Sequence, residues 1–239
     1  MRPDALPDAL PDALPDAIII GDSHSNTLVA GCAANGLRVE MLRLSGNFWH
    51  SGSVFFHGRH GVWTRGLATA QAEILELRER LGGLSLISPE VPVIAAMGFH
   101  LGRIVPPFGV NGHVTDAATF AADPTAAYAS AAMVDAMAMH FRGPHIQMAQ
   151  RMSRHGNMVL VVPPRLFPGS NYDRFTAAIA ARMTAAGVRL FDPSREMFGS
   201  EQGLPPAMAE ADGVHGNDAY GAAAIRLMLD QGLIAKRAA

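Results

Sequence analysis

Short apolar runs alternate with longer helical patterns along most of the chain, and this alternation restricts the folds that are open to it. Five segments are predicted as strands: the first, third and fourth are apolar runs typical of strands buried inside a sheet, and the second alternates between apolar and polar residues. They are Ala17–Gly21, Leu37–Leu44, Pro92–Gly98, Asn157–Pro163 and Val188–Phe191. Helical segments are predicted at Ser25–Asn35, Leu67–Leu81, Thr125–Arg154, Tyr172–Ala186 and Ala219–Leu233. The third of these is long enough for two helices in succession. The alternation predicts an α/β fold in which helices cover both faces of a five-stranded parallel sheet.

The first sixteen residues differ in composition from the rest of the chain. Residues 3–17 read PDALPDALPDALPDA, and each proline removes a backbone donor and disfavours helix at the residue before it. We therefore expect residues 1–16 to form a low-complexity mobile tail, with a proline-rich docking arm as the alternative. Residues 17–239 are numerous enough to form one domain with a full hydrophobic core.

Charge and hydropathy exclude several classes of partner and site. The formal net charge is −2 and the 19 lysine and arginine residues are scattered. They form no basic stripe, so nucleic-acid binding is not expected. No run of about 18 apolar residues predicts a membrane span, and the N-terminal residues lack the pattern of a secretory signal. A cytoplasmic location is the resulting expectation. Cys32 is the single cysteine, so an intrachain disulfide is impossible and packing is the expected role of its thiol.

A serine follows the first predicted strand at a sharp corner. Gly21-Asp22-Ser23-His24-Ser25 leads from the strand directly into a helical segment, so the Ser23 hydroxyl is expected at the carboxyl edge of the sheet. The free backbone N–H groups and the dipole at the start of such a helix favour a developing oxyanion. Ser23 is therefore a candidate nucleophile, and a simple helix cap is the alternative interpretation.

An aspartate and a histidine stand three residues apart near the other end of the chain. Asp212-Gly213-Val214-His215 lies in a loop, and Asn217 is well suited to cap the helix that follows. In a loop, this spacing allows the carboxylate to hold imidazole Nδ1, which leaves Nε2 to take a proton from a serine hydroxyl. The alternative is a pair of ordinary solvent-facing polar side chains.

With these two motifs, the chain resembles the SGNH/GDSL hydrolase superfamily. The Gly-Asp-Ser motif that ends in Ser23 and the Asp212-x-x-His215 motif match the family in order and distance, while the middle of the chain diverges. The resemblance implies a flavodoxin-like three-layer α/β/α fold, with residues 17–239 as a single SGNH-hydrolase-like catalytic domain. It also implies a relay of Ser23, His215 and Asp212 that needs no metal or organic cofactor.

The resemblance further implies which groups form the oxyanion hole. The family's second block contributes a glycine amide, and Gly46 stands at that place, with Asn47 as an additional candidate. The family's third block reads Gly-x-Asn-Asp, whereas residues 98–101 read Gly-Phe-His-Leu, so His100 replaces the asparagine. An imidazole N–H can donate to an oxyanion if it holds the right tautomer. Loss of one such donor lowers turnover by about a hundred- to a thousandfold.

Together, these motifs predict a serine-dependent ester hydrolase that acts on a small acyl or acetylated carbohydrate ester through an acyl-enzyme. Two long glycine- and aromatic-rich segments, Ser45–Arg65 and Gly102–Asp123, are the candidate walls of the substrate site. Acyl transfer on the same fold is one alternative, and a non-catalytic glycan- or acyl-binding module is another. The Asp22-x-His24 pattern also resembles the first metal ligands of calcineurin-like metallophosphoesterases, but the later ligand motifs of those enzymes are not intact in this sequence.

Overall fold

All five strands of the central sheet are parallel. The computed structural model describes residues 14–50, 52–123 and 125–237. Its strands are β1 (Ala17–Gly21), β2 (Val39–Arg43), β3 (Val54–His57), β4 (Gly61–Thr64), β5 (Val93–Ala96), β6 (Met158–Val161) and β7 (Leu190–Phe191). The central sheet has the order β2-β1-β5-β6-β7, and β3 pairs with β4 in a separate antiparallel hairpin. The predicted five-stranded parallel sheet is confirmed.

Helices cover both faces of this sheet and complete a three-layer α/β/α fold of the flavodoxin-like kind. They are α1 (Ser25–Ala34), α2 (Gly46–His50), α3 (Ala68–Arg80), α4 (Ala117–Ala122), α5 (Ala131–His155), α6 (Asn171–Ala185), α7 (Pro193–Phe198) and α8 (Asp218–Asp230). Ile18 and Ile20 of β1 belong to the core cluster under α3, α5 and α6, whereas Ile19 belongs to the cluster under α1 and α8. Because both faces of β1 are buried, its sequence is a continuous apolar run rather than an alternating pattern.

Helices α1 and α8 are in backbone contact, and this contact joins the two ends of the chain. A Cβ on Gly221 of α8 would lie 2.0 Å from the carbonyl oxygen of Thr27, and a Cβ on Gly31 would lie 2.2 Å from that of Gly221. Only glycine permits so close an approach at these positions. The Thr27 hydroxyl also donates to the carbonyl oxygen of Gly216, just before α8, at 2.8 Å. The residues that precede α8 are therefore held against the first turn of α1.

The segment Ser45–Arg65 contains more regular structure than the sequence predicts. It forms α2 and the β3–β4 hairpin, in which Val54 pairs with Thr64. Val54 and Val62 are buried in the core cluster that includes side chains of α3 and α5. Each hairpin strand has only four residues, so its alternation is too short to stand out in a glycine- and aromatic-rich segment.

Helix α5 begins later than predicted and continues as one helix. It starts at Ala131 rather than Thr125 because the Ser130 hydroxyl caps it by accepting the N–H of Met133 at 3.1 Å. Pro144 lies inside the helix without ending it. Neither α5 nor any other helix in the described ranges is both long enough and apolar enough to cross a membrane.

Residues 1–13 of the predicted tail lie outside the described residues, whereas its last three residues are described. Leu14 and Asp16 are buried. The Asp16 carboxylate accepts hydrogen bonds from the backbone N–H groups of Arg38 and Arg237, at 2.7 and 2.6 Å. The packed part of the chain therefore begins before Ala17, because Asp16 ties its start both to the approach to β2 and to the segment after α8.

Candidate active site

The corner after β1 exposes Ser23 at the carboxyl edge of the sheet. β1 ends at Gly21, where a Cβ would lie 2.1 Å from the carbonyl oxygen of Ala96 in β5, so the site requires glycine. Helix α1 begins at Ser25, and its N-cap residue, His24, makes no side-chain cap hydrogen bond. The Ser23 hydroxyl is hydrogen-bonded elsewhere, as described below, so the helix-cap interpretation of this serine is wrong.

Asp22 lies beneath this corner and is only 2% exposed. Its carboxylate accepts the backbone N–H of His24 at 3.1 Å, which closes the turn around Ser23. Burial raises the pKa of Asp22, while this hydrogen bond and the nearby His100 and His215 rings act in the opposite direction. Asp22, the acidic residue of the Gly-Asp-Ser motif, therefore holds the backbone of the corner in its turn conformation.

The predicted Asp–His loop is a closed turn that precedes α8. Ala209 and Gly216 form an antiparallel bridge across its base. Asn217 caps α8 by accepting the N–H of Tyr220 at 3.2 Å, as predicted. The bridge and the cap therefore fix both ends of the turn relative to α8.

Asp212 organises the inside of this turn with both of its carboxylate oxygens. Oδ1 accepts the backbone N–H groups of Val214 and His215, at 2.8 and 3.0 Å. Oδ2 lies 2.6 Å from His215 Nδ1. These hydrogen bonds, that from the His215 ring first, lower the pKa of Asp212 to about 2. Asp212 is therefore an anion above that pH, although half of its side chain is exposed.

A continuous hydrogen-bonded chain joins the turn to the corner after β1. His215 Nε2 lies 2.8 Å from Ser23 Oγ. Because an ionised carboxylate only accepts hydrogen bonds, we assign the imidazole proton to Nδ1, facing Asp212. Nε2 then presents its lone pair to the serine hydroxyl. The three side chains that the sequence predicts as a relay are thus brought together in the order Ser23, His215, Asp212.

A second imidazole packs against His215. The ring centroids of His24 and His215 are 4.6 Å apart, and the ring planes are tilted by 51°. Burial, and then the neighbouring His215 and His100 rings, lower the pKa of His24 to about 4. At neutral pH, His24 is an uncharged ring that supports one side of His215 without repelling it when it becomes protonated.

The structure also brings together two of the predicted oxyanion residues. Gly46 is the first residue of α2, and a Cβ on it would lie 3.1 Å from Nδ1 of His100. Burial lowers the pKa of His100, the Asp22 charge opposes this shift, and the Arg142 charge reinforces it. The third candidate, Asn47, also belongs to α2, but its side chain lies outside the described part of the structure.

One buried residue next to His100 belongs to none of the predicted motifs. Arg142 of α5 is 3% exposed, and its Nη2 donates to the carbonyl oxygen of His100. The signal was present in the helical pattern. Arg142 follows the buried residues Val134 and Ala138 at intervals of four, so it occupies a position on the apolar stripe of α5 where a charge is unusual.

A small cavity adjoins the corner that carries Ser23. It measures about 20 Å³, and His24 and Gly216 line the side next to the relay. Its remaining lining is mostly apolar and comes largely from the ends of β5 and β6, including Ala96, Met97, Phe99, Val161, Val162, Pro163 and Pro164. A space of this size accepts about one water molecule or a methyl group. Neither of the two segments predicted as substrate walls contributes to it.

Asp22 and His24 have no further metal-ligating side chains grouped with them in the described part of the chain. The Asp22 carboxylate accepts the backbone N–H of His24 and lies beneath the corner. Within residues 14–50, 52–123 and 125–237, no group of three histidine, cysteine, aspartate or glutamate side chains is arranged to hold a metal ion.

Comparison with known proteins gives structural neighbours only. No protein-family model matches the sequence, and no curated protein matches it. A lipase/acylhydrolase from Enterococcus faecalis is 13% identical, with 93% of this chain and 99% of that chain covered and a TM-score of 0.41. Phospholipase A1 from Streptomyces albidoflavus is 12% identical, with 92% and 99% covered and a TM-score of 0.46.

An acetylxylan esterase from Geobacillus stearothermophilus is likewise 12% identical, with 90% of this chain and 92% of that chain covered and a TM-score of 0.42. At such identities and TM-scores, the neighbours carry no information about the reaction.

Proposed function

We propose that the chain is a serine-dependent ester hydrolase of the SGNH/GDSL type that works through an acyl-enzyme. The observation that carries this proposal is the hydrogen-bonded series from Ser23 Oγ through the His215 ring to Asp212, with contacts of 2.8 and 2.6 Å. Such a series activates a serine, because it supplies a base at the hydroxyl and an anion that orients the base. A binding module would have no need of this arrangement.

In the proposed first step, Ser23 Oγ attacks the ester carbonyl and His215 Nε2 takes its proton. Asp212 stabilises the imidazolium that results, and it prevents the ring from turning by holding Nδ1–H. The protonated His215 then gives its proton to the departing alcohol, which leaves the acyl group on Ser23. Water attacks this ester by the same route in reverse and releases the acid.

The oxyanion that forms during attack requires donors on the opposite side of the carbonyl from His215. Two backbone donors are candidates, since the N–H groups of Ser23 and Gly46 have no acceptor in the described part of the chain. His100, packed against Gly46, is the candidate third donor through an imidazole N–H. These are the groups that the sequence analysis predicts for the role.

The small cavity beside His24 supports a short acyl group as the acid part of the substrate. Its volume of about 20 Å³ and its mostly apolar lining suit the methyl group of an acetyl ester. Acetylated carbohydrates and other small acetyl esters are therefore the proposed substrates. Acyl transfer remains the alternative, because an acceptor hydroxyl could replace water at the same acyl-enzyme.

The test uses a fluorophosphonate probe and p-nitrophenyl acetate with the purified chain, compared with Ser23→Ala. Ser130→Ala is the matched control, since Ser130 is a helix-capping serine whose loss affects stability alone. We expect labelling and turnover in the wild type and the control, and neither in Ser23→Ala. A folded wild type that is not labelled would contradict the proposal and favour the binding module.

A further inference from the structure

Arg142 is a buried cation that the proposed mechanism does not use. Its side chain lies on α5 and is 3% exposed. No carboxylate in the described ranges comes within ion-pair distance of its guanidinium. Burial and the charge of Arg103 lower the pKa of Arg142 to about 10, which still leaves it protonated at neutral pH. An arginine buried without an anionic partner destabilises a fold, so its presence calls for another explanation.

In the described part of the chain, Arg142 donates hydrogen bonds to two main-chain oxygens. Nη2 donates to the carbonyl oxygen of His100, which lies 42 residues away in sequence. Nη1 donates to the carbonyl oxygen of Phe141, at 3.0 Å, in the same helix. The planar guanidinium therefore connects the rigid backbone of α5 to the irregular segment after β5.

The backbone at His100 needs such a connection. Two residues earlier, Gly98 has a φ of +88°, so the chain leaves β5 through a conformation that only glycine adopts readily. Residues 101–103 form a single turn of 3₁₀ helix, and no strand holds His100 in register. Because the imidazole packs against Gly46, a shift of the His100 backbone would change the separation between these two candidate donors.

The positive charge of Arg142 also favours the oxyanion site, in addition to the hydrogen bond that holds the His100 backbone. The positive charge of Arg142 helps to keep the His100 imidazole neutral, whereas the charge of Asp22 acts in the opposite direction. A fixed positive charge in a buried position also stabilises negative charge that develops nearby, since little water is present to screen it. Such a charge is already oriented before the reaction begins.

We propose that Arg142 is a positioning residue for the oxyanion site. It holds the main chain of His100 so that the His100 imidazole packs against Gly46. This proposal rests on the proposed esterase function. Arg142 is remote in sequence from every motif of the site. In this role it contributes to turnover rather than to substrate affinity.

The test compares Arg142→Met and Arg142→Lys with a matched control, Arg78→Met. Arg78 is partly buried and, like Arg142, donates to a backbone carbonyl, that of Gly83 at 3.1 Å. It also contacts an imidazole, that of His60, at 2.8 Å. It lies near the carboxyl end of α3, whose chain continues to the start of β5, so it is at the opposite edge of the sheet from Ser23.

For each variant, kcat and KM for p-nitrophenyl acetate are measured per labelled active site, together with the melting temperature. We expect both Met variants to melt at lower temperature than the wild type. Only Arg142→Met should lose kcat, by at least about tenfold, with KM changed less than about threefold, since small displacements of catalytic groups are costly. Arg142→Lys, which keeps the charge and one donor, should give an intermediate kcat.

Equal kcat in Arg142→Met and Arg78→Met would overturn the proposal and leave Arg142 a structural residue. If Arg142→Met does not fold, Arg142→Lys decides the question, and a kcat equal to that of the wild type would overturn it. A wild type without turnover or labelling would contradict the esterase proposal, and this inference would fall with it. An active wild type with an unaffected Arg142→Met would contradict this inference alone.

Discussion

The proposed relay and the proposed oxyanion side of the candidate site are built in different ways. Ser23, Asp212 and His215 belong to two short turns, each closed by backbone N–H groups that donate to an aspartate carboxylate of the same turn. Gly46 and His100, in contrast, come from separate segments, and a contact between their side-chain and main-chain atoms relates them. Local hydrogen bonds therefore shape each of the two turns, although the contact between His215 and Ser23 spans 192 residues. On the oxyanion side, tertiary packing alone relates the two groups. Substitutions should affect the two sides to different extents.

The largest effect is expected at the centre of the relay. His215→Ala removes both the base and the partner of Asp212, and we expect it to lower kcat by about 10⁴- to 10⁶-fold. His155→Ala is the control, because His155 is exposed, contacts the carbonyl oxygen of Arg151 in its own helix and the Phe56 ring, and takes no part in the proposed relay. Stopped-flow and long-incubation assays with p-nitrophenyl acetate together cover this range. Retention of more than a hundredth of the activity would mean that another base serves Ser23.

A smaller effect is expected on the oxyanion side. His100→Ala should lower kcat by about a hundredfold at nearly constant KM, the loss typical of one missing donor. His100→Asn restores a carboxamide donor of the kind found in the SGNH/GDSL family and should recover most of that loss. The measurement is a comparison of kcat and KM for the two variants. Unchanged kcat in His100→Ala would assign the oxyanion to the backbone N–H groups alone.

The same contrast explains which parts of the fold could be predicted from the sequence. The run Ile18–Ile20 identifies a buried strand, because burial on both faces requires continuous apolar residues. Asn217 identifies a helix start, because its side chain acts within one turn. The β3–β4 hairpin was missed, since its two four-residue strands are buried on α3 and α5 by contacts that no local pattern reveals.

Within the candidate site, the sequence is most informative where the interacting side chains lie in the same turn. The Asp212-x-x-His215 spacing is meaningful because both side chains lie in one turn. His100 was identified only through the resemblance to a family, and Arg142 was not identified at all. Its role depends on a contact with His100 across 42 residues. An arginine on an apolar helical stripe is the general signal that such a contact exists.

The relay does depend on one long-range feature, the backbone contact between α1 and α8. Gly221→Ala would force a Cβ to within 2.0 Å of the Thr27 carbonyl oxygen, and we expect it to lower the free energy of unfolding by about 1–3 kcal/mol. Gly58→Ala is the control, because a Cβ there meets no atom within 4 Å. Urea unfolding provides the measurement. Equal stability of the two variants would show that α8 can shift away from α1 at little cost.

The smallest effect is expected for the stability that Asp212 contributes through its charge. Its pKa in the folded chain is about 2, below the ordinary value of 3.8, so this contribution is complete above about pH 4 and is lost as the pH falls towards 2. Asp212 is half exposed, and solvent screens its charge, so the contribution is small. The melting temperatures of the wild type and Asp212→Asn should therefore differ slightly at pH 6 and converge near pH 2. A difference that stays constant over this range would mean that the turn is held by hydrogen bonds that do not depend on the carboxylate charge. The charge of Asp212 would then serve the proposed reaction rather than the stability of the turn.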